Sequence, residues 1–217
     1  MSSPIGHTLA GYIIHVIRAD RIGNRRSFSK DRFNVLKPAG YLYLLVFITI
    51  ANAPDLDFLP GLILGYPNLY HHGISHSLGA ALLFSGGCAL LHKSEKFRLF
   101  SVSFGTAMIL YCSHLLLDIL SQDARPPLGI PLLWPLTDTA FYLPLLPPVT
   151  HSLLDHATIG QFLADAISLH NLGVILKECM LAGGLLAGFI LLKRVVLSFG
   201  FQINPAQPTN EKFEDRK

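Results

Sequence analysis

Long apolar runs separated by short polar segments dominate the chain. The runs cover residues 4–17, 39–53, 77–92, 99–120 and 173–194. They show no strand-like alternation and no internal repeat, so the pattern predicts helices throughout. The first run is shorter than the roughly 20 residues that an ordinary membrane span needs. We therefore predict an all-α fold, an integral membrane bundle of about five membrane-embedded helices, some of them short.

Prolines and glycines interrupt the chain between these runs. Residues 54–76 are predicted to be loop or broken helix, because they contain Pro54, Pro60, Gly61, Pro67 and Gly73. Residues 121–150 form a proline-rich loop region, and residues 151–172 could hold an amphipathic helix. We expect one domain over residues 1–200 and a disordered polar tail over residues 201–217.

Composition supports the membrane prediction. Of the 217 residues, 51% are hydrophobic and 14% are charged, and the mean hydropathy is +0.45. Soluble domains have roughly 25% charged residues. The cysteines Cys88, Cys112 and Cys179 lie in apolar runs without a C-x-x-C spacing. They predict neither a disulfide framework nor a thiolate metal site.

Basic residues indicate how the chain is oriented. They concentrate in the loop 18–37, in the turn 93–98 and at Lys193–Arg194, which the positive-inside rule places in the cytoplasm. Alternating the helices then places residues 54–76 and 121–172 on the opposite face. The net charge of +3 is too small to indicate nucleic acid. The basic loop is instead expected to face anionic lipid heads.

A histidine and a carboxylate lie four residues apart inside the apolar run 99–120. His114 and Asp118 would share one face of a helix, where they could bind one metal ion. A polar pair that joins two membrane helices is the alternative. Ionisable groups inside membrane segments are costly and are functional by default, which favours the metal site.

Two further groups of candidate ligands follow the second run. Asp55 and Asp57 come where Pro54 ends the helix, and they would repel each other unless a cation or a donor lies between them. A helix-end turn is the alternative for this pair. Three histidines, His71, His72 and His76, precede the third run, where Ser75 or Ser77 could cap the helix.

Imidazole and carboxylate ligands together suit zinc and related first-row ions. A surface histidine cluster is the alternative for the three histidines, and which of them binds stays open. His7 in the first run is a weaker candidate, since a lone buried histidine is usually hydrogen-bonded. His151 and Asp155, with His156 beside them, repeat the H-x-x-x-D spacing. They could form a second metal site, supply a general base or belong to a polar helix face.

In their order and spacing, these motifs resemble the YdjM-like family of bacterial inner-membrane metal-dependent hydrolases. The resemblance covers about residues 4–136 and rests on five motifs: Gly6-His7, Pro54-Asp-Leu-Asp57, His71-His-Gly-Ile-Ser-His-Ser77, His114-Leu-Leu-Leu-Asp118 and Gly129-Ile-Pro-Leu-Leu-Trp-Pro135. His72 departs from the pattern, because the family usually has Arg there. The family is itself distantly similar to zinc-dependent phospholipases C and single-strand nucleases.

The resemblance implies a divalent-metal site, with zinc the first choice and manganese the second. The implied ligands are His7, Asp55, His71, His76, His114 and Asp118. It also implies hydrolysis of a phosphoester or lipid substrate through metal-activated water, with Asp57 or a spare histidine such as His72 as the general base or orienting group. In place of the family's Arg, His72 would contact an anionic substrate only when protonated.

The expected location is a bacterial inner membrane, with several spans and the site on the non-cytoplasmic face. Membrane lipid is the expected partner. Gly184-Leu-Leu-Ala-Gly188 predicts close packing against another helix or protomer. Two non-enzymatic functions stay open, namely a protein that binds or transports metal and a scaffold whose basic loop meets a cytoplasmic partner.

Overall fold

The computed structural model confirms the all-α prediction. It describes residues 3–22, 34, 37–66, 69–93, 102–121, 128–143, 145 and 159–199. Within these ranges the chain forms seven α-helices and two 3₁₀ turns. An isolated antiparallel bridge pairs Ile130 with Phe141. The predicted tail 201–217 and most of the basic loop lie outside the described residues.

The helices follow the apolar runs closely. In chain order they are α1 (Pro4–Ile22), α2 (Pro38–Ala51), a 3₁₀ turn (Pro54–Asp57), α3 (Phe58–Ile63), a second 3₁₀ turn (Ile74–His76), α4 (Leu78–Lys93), α5 (Phe104–Leu120), α6 (Ile159–Ala166) and α7 (Leu169–Phe199). α1 continues past the predicted end at residue 17, because hydropathy marks only the apolar part of a helix. The amphipathic segment predicted over 151–172 is helical over α6, and α7 begins within it, earlier than predicted.

α5 is the central helix and packs against α1, α2 and α4. Its buried residues form one stripe with a helical period: Thr106, Ala107, Leu110, Tyr111, His114, Leu115 and Asp118. Leu110 and Leu115 are almost fully buried in the core. Because His114 and Asp118 belong to the same stripe, the apolar packing of α5 also directs these two polar side chains inward.

Helix length and hydropathy support one or two membrane spans among the described residues. α7 is apolar enough to cross a membrane over Leu169–Val195. Pro38–Ala51 and Pro54–Ile63 pass the same test together, as a pair bent by 62°. The apolar helices α4 and α5 are shorter. The chain divides into two compact units, Met1–Ala182 and Gly183–Lys217, and the candidate site lies in the first.

The proline-rich region closes the start of α4. The backbone N–H of Leu78 donates to the carbonyl of Leu132 at 2.8 Å, and that of Gly79 donates to the carbonyl of Trp134 at 3.2 Å. These two donors have no partner within the helix, because they belong to its first turn. The segment after Ile130 therefore fixes the start of α4. This start directly follows the histidine-rich turn, which contains His71, His72 and His76.

Substituting Gly79 tests this contact. A Cβ at Gly79 would lie 2.6 Å from the Trp134 carbonyl oxygen. We expect Gly79→Ala to displace the proline-rich segment and to lower the free energy of unfolding by about 1–3 kcal/mol. Thermal unfolding of the purified protein in detergent measures the effect. Gly87→Ala in the same helix is the control, since nothing lies within 4 Å of its added Cβ. Equal melting temperatures for the two variants would contradict the contact.

Candidate metal centre

The ends of four chain segments meet at the candidate site. His7 lies in the first turn of α1, and Asp55 follows the end of α2. His76 directly precedes α4, and His114 and Asp118 lie in the last two turns of α5. The starts of α1 and α4 and the ends of α2 and α5 thus come together, although these residues are far apart in sequence.

Four ligand atoms face one another at the centre of the site. His114 Nε2 lies 3.2 Å from His76 Nε2, 3.4 Å from Asp55 Oδ1 and 3.1 Å from Asp118 Oδ2. His76 Nε2 lies 3.6 Å from Asp55 Oδ1 and 3.5 Å from Asp118 Oδ2. Ligand atoms at about 2.0–2.1 Å from a tetrahedral zinc ion are separated by about 3.3 Å. Five of the six separations among these atoms are therefore close to those expected around a single ion, and Asp55, His76 and His114 form one group able to hold it.

Hydrogen bonds on the far side of each ring point the Nε2 lone pairs inward. His114 Nδ1 donates to the Ala51 carbonyl at 2.8 Å. His76 Nδ1 lies 3.1 Å from both Ser75 Oγ and Asp57 Oδ2, and the Ser75 hydroxyl donates to that same carboxylate oxygen at 2.8 Å. Both Nδ1 atoms thus face acceptors and carry the proton. Two Nε2 lone pairs facing each other require a proton or a metal ion between them.

The charges around His76 also favour a cation. Burial alone would lower its pKa, but hydrogen bonds with Asp55 and Asp57 outweigh burial and raise the pKa of His76 to about 9. A proton therefore binds at neutral pH when no other cation is present. A metal ion would displace that proton, because a ligating imidazole nitrogen must be deprotonated.

His71 orients Asp57 and lies outside the four-atom cluster. Its Nδ1 is 2.9 Å from Asp57 Oδ1 and 4.0 Å from Asp55 Oδ1. Burial and the neighbouring His72 lower the pKa of His71 to about 3, so its ring is neutral. Its ligand atom also groups with those of Asp55 and Asp57, and separately with those of His72 and His76. Its role as a metal ligand stays a prediction.

His7 joins the cluster from the other side of Asp118. Its Nε2 lies 3.4 Å from Asp118 Oδ1, and its ring stacks on that of His114 with centroids 3.5 Å apart and planes at 15°. His7, His114 and Asp118 together form a further group of atoms able to hold an ion. The role of His7 as a metal ligand stays a prediction.

His72 has an unusual backbone conformation beside the cluster. Its φ is 63°, a left-handed value that is uncommon for a residue other than glycine. Its ring centroid lies 4.2 Å from that of His71 and 4.9 Å from that of His76. Strained conformations of this kind concentrate at functional sites. The predicted contact of His72 with substrate is not tested by this geometry.

The remaining predicted residues, His151 and Asp155 with the adjacent His156, lie outside the described residues. Ser77 is the helix cap, since its Oγ accepts the N–H of Ala80 at 3.1 Å. Ser75, the other candidate cap, binds Asp57 instead.

Sequence reasoning missed a carboxylate that holds the start of α1. The Ser3 N–H donates to Glu178 Oε1 at 2.9 Å, and the Ser3 hydroxyl donates to Glu178 Oε2. The Gly6 N–H in turn donates to Ser3 Oγ at 3.1 Å. Glu178 thereby fixes the turn that carries His7. The sequence signal that could have revealed this role is that Glu178 is the single carboxylate of the last apolar run, where an ionisable residue is functional by default.

Tyr111 supports the other side of the site and was also missed. Its hydroxyl donates to the Ser75 carbonyl at 2.7 Å and so ties the histidine-rich turn to α5. A tyrosine one turn before His114 carries no sequence signal that separates it from ordinary core packing.

The least buried side of the cluster is that of Asp55 and Asp57. The side chains of His7, His76, His114 and Asp118 have no exposed surface. Those of Asp55 and Asp57 are 12% and 10% exposed, although both carboxylate oxygens of Asp55 are themselves buried. Among these candidate residues, a ligand from outside therefore approaches along the Asp57 side. We call this side, formed by Asp55 and Asp57, the carboxylate mouth.

These observations define an all-α protein with a membrane-capable helix and a buried histidine–aspartate cluster suited to a divalent ion. The family model described as YdjM inner membrane protein matches residues 1–197, and the chain belongs to that family. The resemblance carried by the motifs is thus confirmed, over more of the chain than residues 4–136. Comparisons with curated proteins and with solved structures gave no match.

Metal analysis of purified protein tests the cluster. We expect His114→Ala and Asp118→Ala each to lower the bound divalent metal at least about tenfold, because even outer-shell changes cost about 10–100-fold in metal affinity. His92→Ala, at an exposed histidine near the end of α4, is the control and should keep the metal of the unmodified protein. Equal metal content in all of these proteins would place the ion elsewhere.

Proposed function

We propose that this protein is a membrane-bound, metal-dependent hydrolase that cleaves a phosphoester. The proposal is carried by the convergence of His76, His114, Asp55 and Asp118, whose facing ligand atoms lie 3.1–3.6 Å apart in five pairs. Two imidazole and two carboxylate ligands suit zinc best, with manganese as the second choice. The likeness in sequence order to metal-dependent hydrolases gives the reaction class, by analogy.

A divalent ion bound by these residues supplies a Lewis acid and makes water nucleophilic at neutral pH. Asp57 is the best-placed general base beside it. It lies at the carboxylate mouth, accepts hydrogen bonds from Ser75 and His71, and is held in one orientation by both. A carboxylate so fixed can accept a proton from water that enters at the mouth.

The proposal includes several membrane spans, with the mouth on the non-cytoplasmic face. The helix ends remote from the site carry basic residues, Arg18 near the end of α1, Lys37 before α2 and Lys93 at the end of α4. Basic residues concentrate on the cytoplasmic side of membrane proteins. This distribution supports an inner-membrane protein whose site faces away from the cytoplasm.

A structural or stored ion is the second candidate function. The burial of His76, His114 and Asp118, with Asp55 only slightly exposed, favours it. Closed sites with four protein ligands are typical of structural zinc, whereas catalytic sites keep one position open. The two functions differ in whether Asp55 leaves the ion when substrate arrives, and turnover distinguishes them.

Hydrolysis of a phosphodiester and phosphomonoester panel by the zinc-loaded protein in detergent tests the proposal. We expect turnover that stops on chelation and returns with zinc. Asp57→Asn should lower kcat by about 100-fold or more while metal content is kept, since a general base contributes about 10²–10⁴-fold. Asp138→Asn, at an exposed aspartate remote in sequence, is the control. Stoichiometric metal without turnover on any substrate would favour the structural ion.

A further inference from the structure

The segment between two site residues is uncharged and mostly apolar. Residues 58–70, here named the apolar arm, connect Asp57 to His71 and contain no charged residue. In the described part of the arm, Leu59, Ile63 and Leu64 are exposed, with Ile63 84% exposed. A surface connection bathed in water is normally polar, and a contiguous apolar surface marks a binding or membrane face.

The arm continues a membrane-type segment. α2 and Pro54–Ile63 pass the test for a membrane span together, bent by 62° at a break that directly precedes Pro54, Asp55 and Asp57. Tyr66 and Tyr70 lie exposed towards the far end of the arm, and tyrosine is enriched where a membrane meets water. Because the chain belongs to an inner membrane family, lipid is the partner that fits this surface.

Phe58, the first residue of the apolar arm and here called its root, is held in place beside the carboxylate mouth. Phe58 stacks on His71 with ring centroids 3.8 Å apart and packs against Val174 of α7. Asp57, at the mouth, directly precedes Phe58. A molecule that reaches the cluster by way of Asp55 and Asp57 therefore passes the root of the arm.

We propose that the substrate is a membrane lipid with a phosphoester head group and that the apolar arm lies in the non-cytoplasmic leaflet. The acyl chains run along Leu59 and Ile63 while the head group enters the carboxylate mouth. This inference rests on the proposed hydrolase function for the reaction, whereas the position of the arm in the bilayer rests on its exposed apolar surface.

Paired substrates separate this inference from the proposed function. The double variant Leu59→Asn/Ile63→Asn should lower hydrolysis of a dioleoyl phospholipid about tenfold or more, since asparagine loses the favourable contact that each aliphatic side chain makes with the acyl chains. Hydrolysis of the water-soluble bis(p-nitrophenyl) phosphate should stay within about twofold, as expected for substitutions away from the chemistry. Leu83→Asn/Leu90→Asn on α4 is the matched control, equally apolar and exposed, and should change neither rate.

An equal fall for both substrates, or unchanged lipid hydrolysis, would overturn lipid delivery by the arm and leave the hydrolase intact. If neither substrate is hydrolysed by the unmodified protein, the proposed function itself fails. The position of the apolar arm in the bilayer is measured independently of hydrolysis, by tryptophan fluorescence. Ile63→Trp in nanodiscs should be quenched by brominated lipid, measured against the signal of the native Trp134. Absence of added quenching would overturn the membrane position and indicate a protein partner.

Discussion

The site depends on neutralising charge among side chains that are almost entirely buried. Asp55 and Asp118 bring two negative charges to two inward-facing imidazole lone pairs, and burial makes unpaired charge costly. A proton on one of these rings balances only one carboxylate, and a proton on each would leave two N–H groups facing each other with their nitrogens 3.2 Å apart. A divalent ion balances both and occupies the lone pairs at the same time. The approach of four side chains from three separate segments therefore fits an ion of charge +2 better than a proton.

The break after α2 creates much of this geometry. Pro54 has no N–H to donate, and the last carbonyls of any helix lack partners within it. The Ala51 carbonyl is consequently available to fix the ring of His114. The same break carries Asp55 to the end of the bundle and turns the chain into the apolar arm. One proline thus accounts for a ligand, the orientation of a second ligand and the change of direction beside the mouth.

Local sequence signals predict the candidate ligands but not the residues that hold those ligands in place. The four-residue spacing of His114 and Asp118, and the carboxylates at a proline break, are visible without tertiary information. The division of roles between His71 and His76 was not predictable, because it depends on which ring nitrogen meets Asp57. The contact of Glu178 with Ser3 joins residues 175 positions apart and leaves no spacing pattern. The charged end of α1 was missed because hydropathy alone set its predicted boundary.

The direction in which the cluster opens bears on transport. A transported ion must enter from one side and leave by the other, so a path must continue beyond the ligands. Phe47 lies one turn before Ala51 on α2, and Leu110 lies one turn before His114 on α5. Both are fully buried in a packed apolar core together with Tyr43 and Ile50. Among the residues described, that core therefore lies directly next to the ligands along both helices. Binding and access from one face fit an enzyme or a fixed ion better than a conducting path.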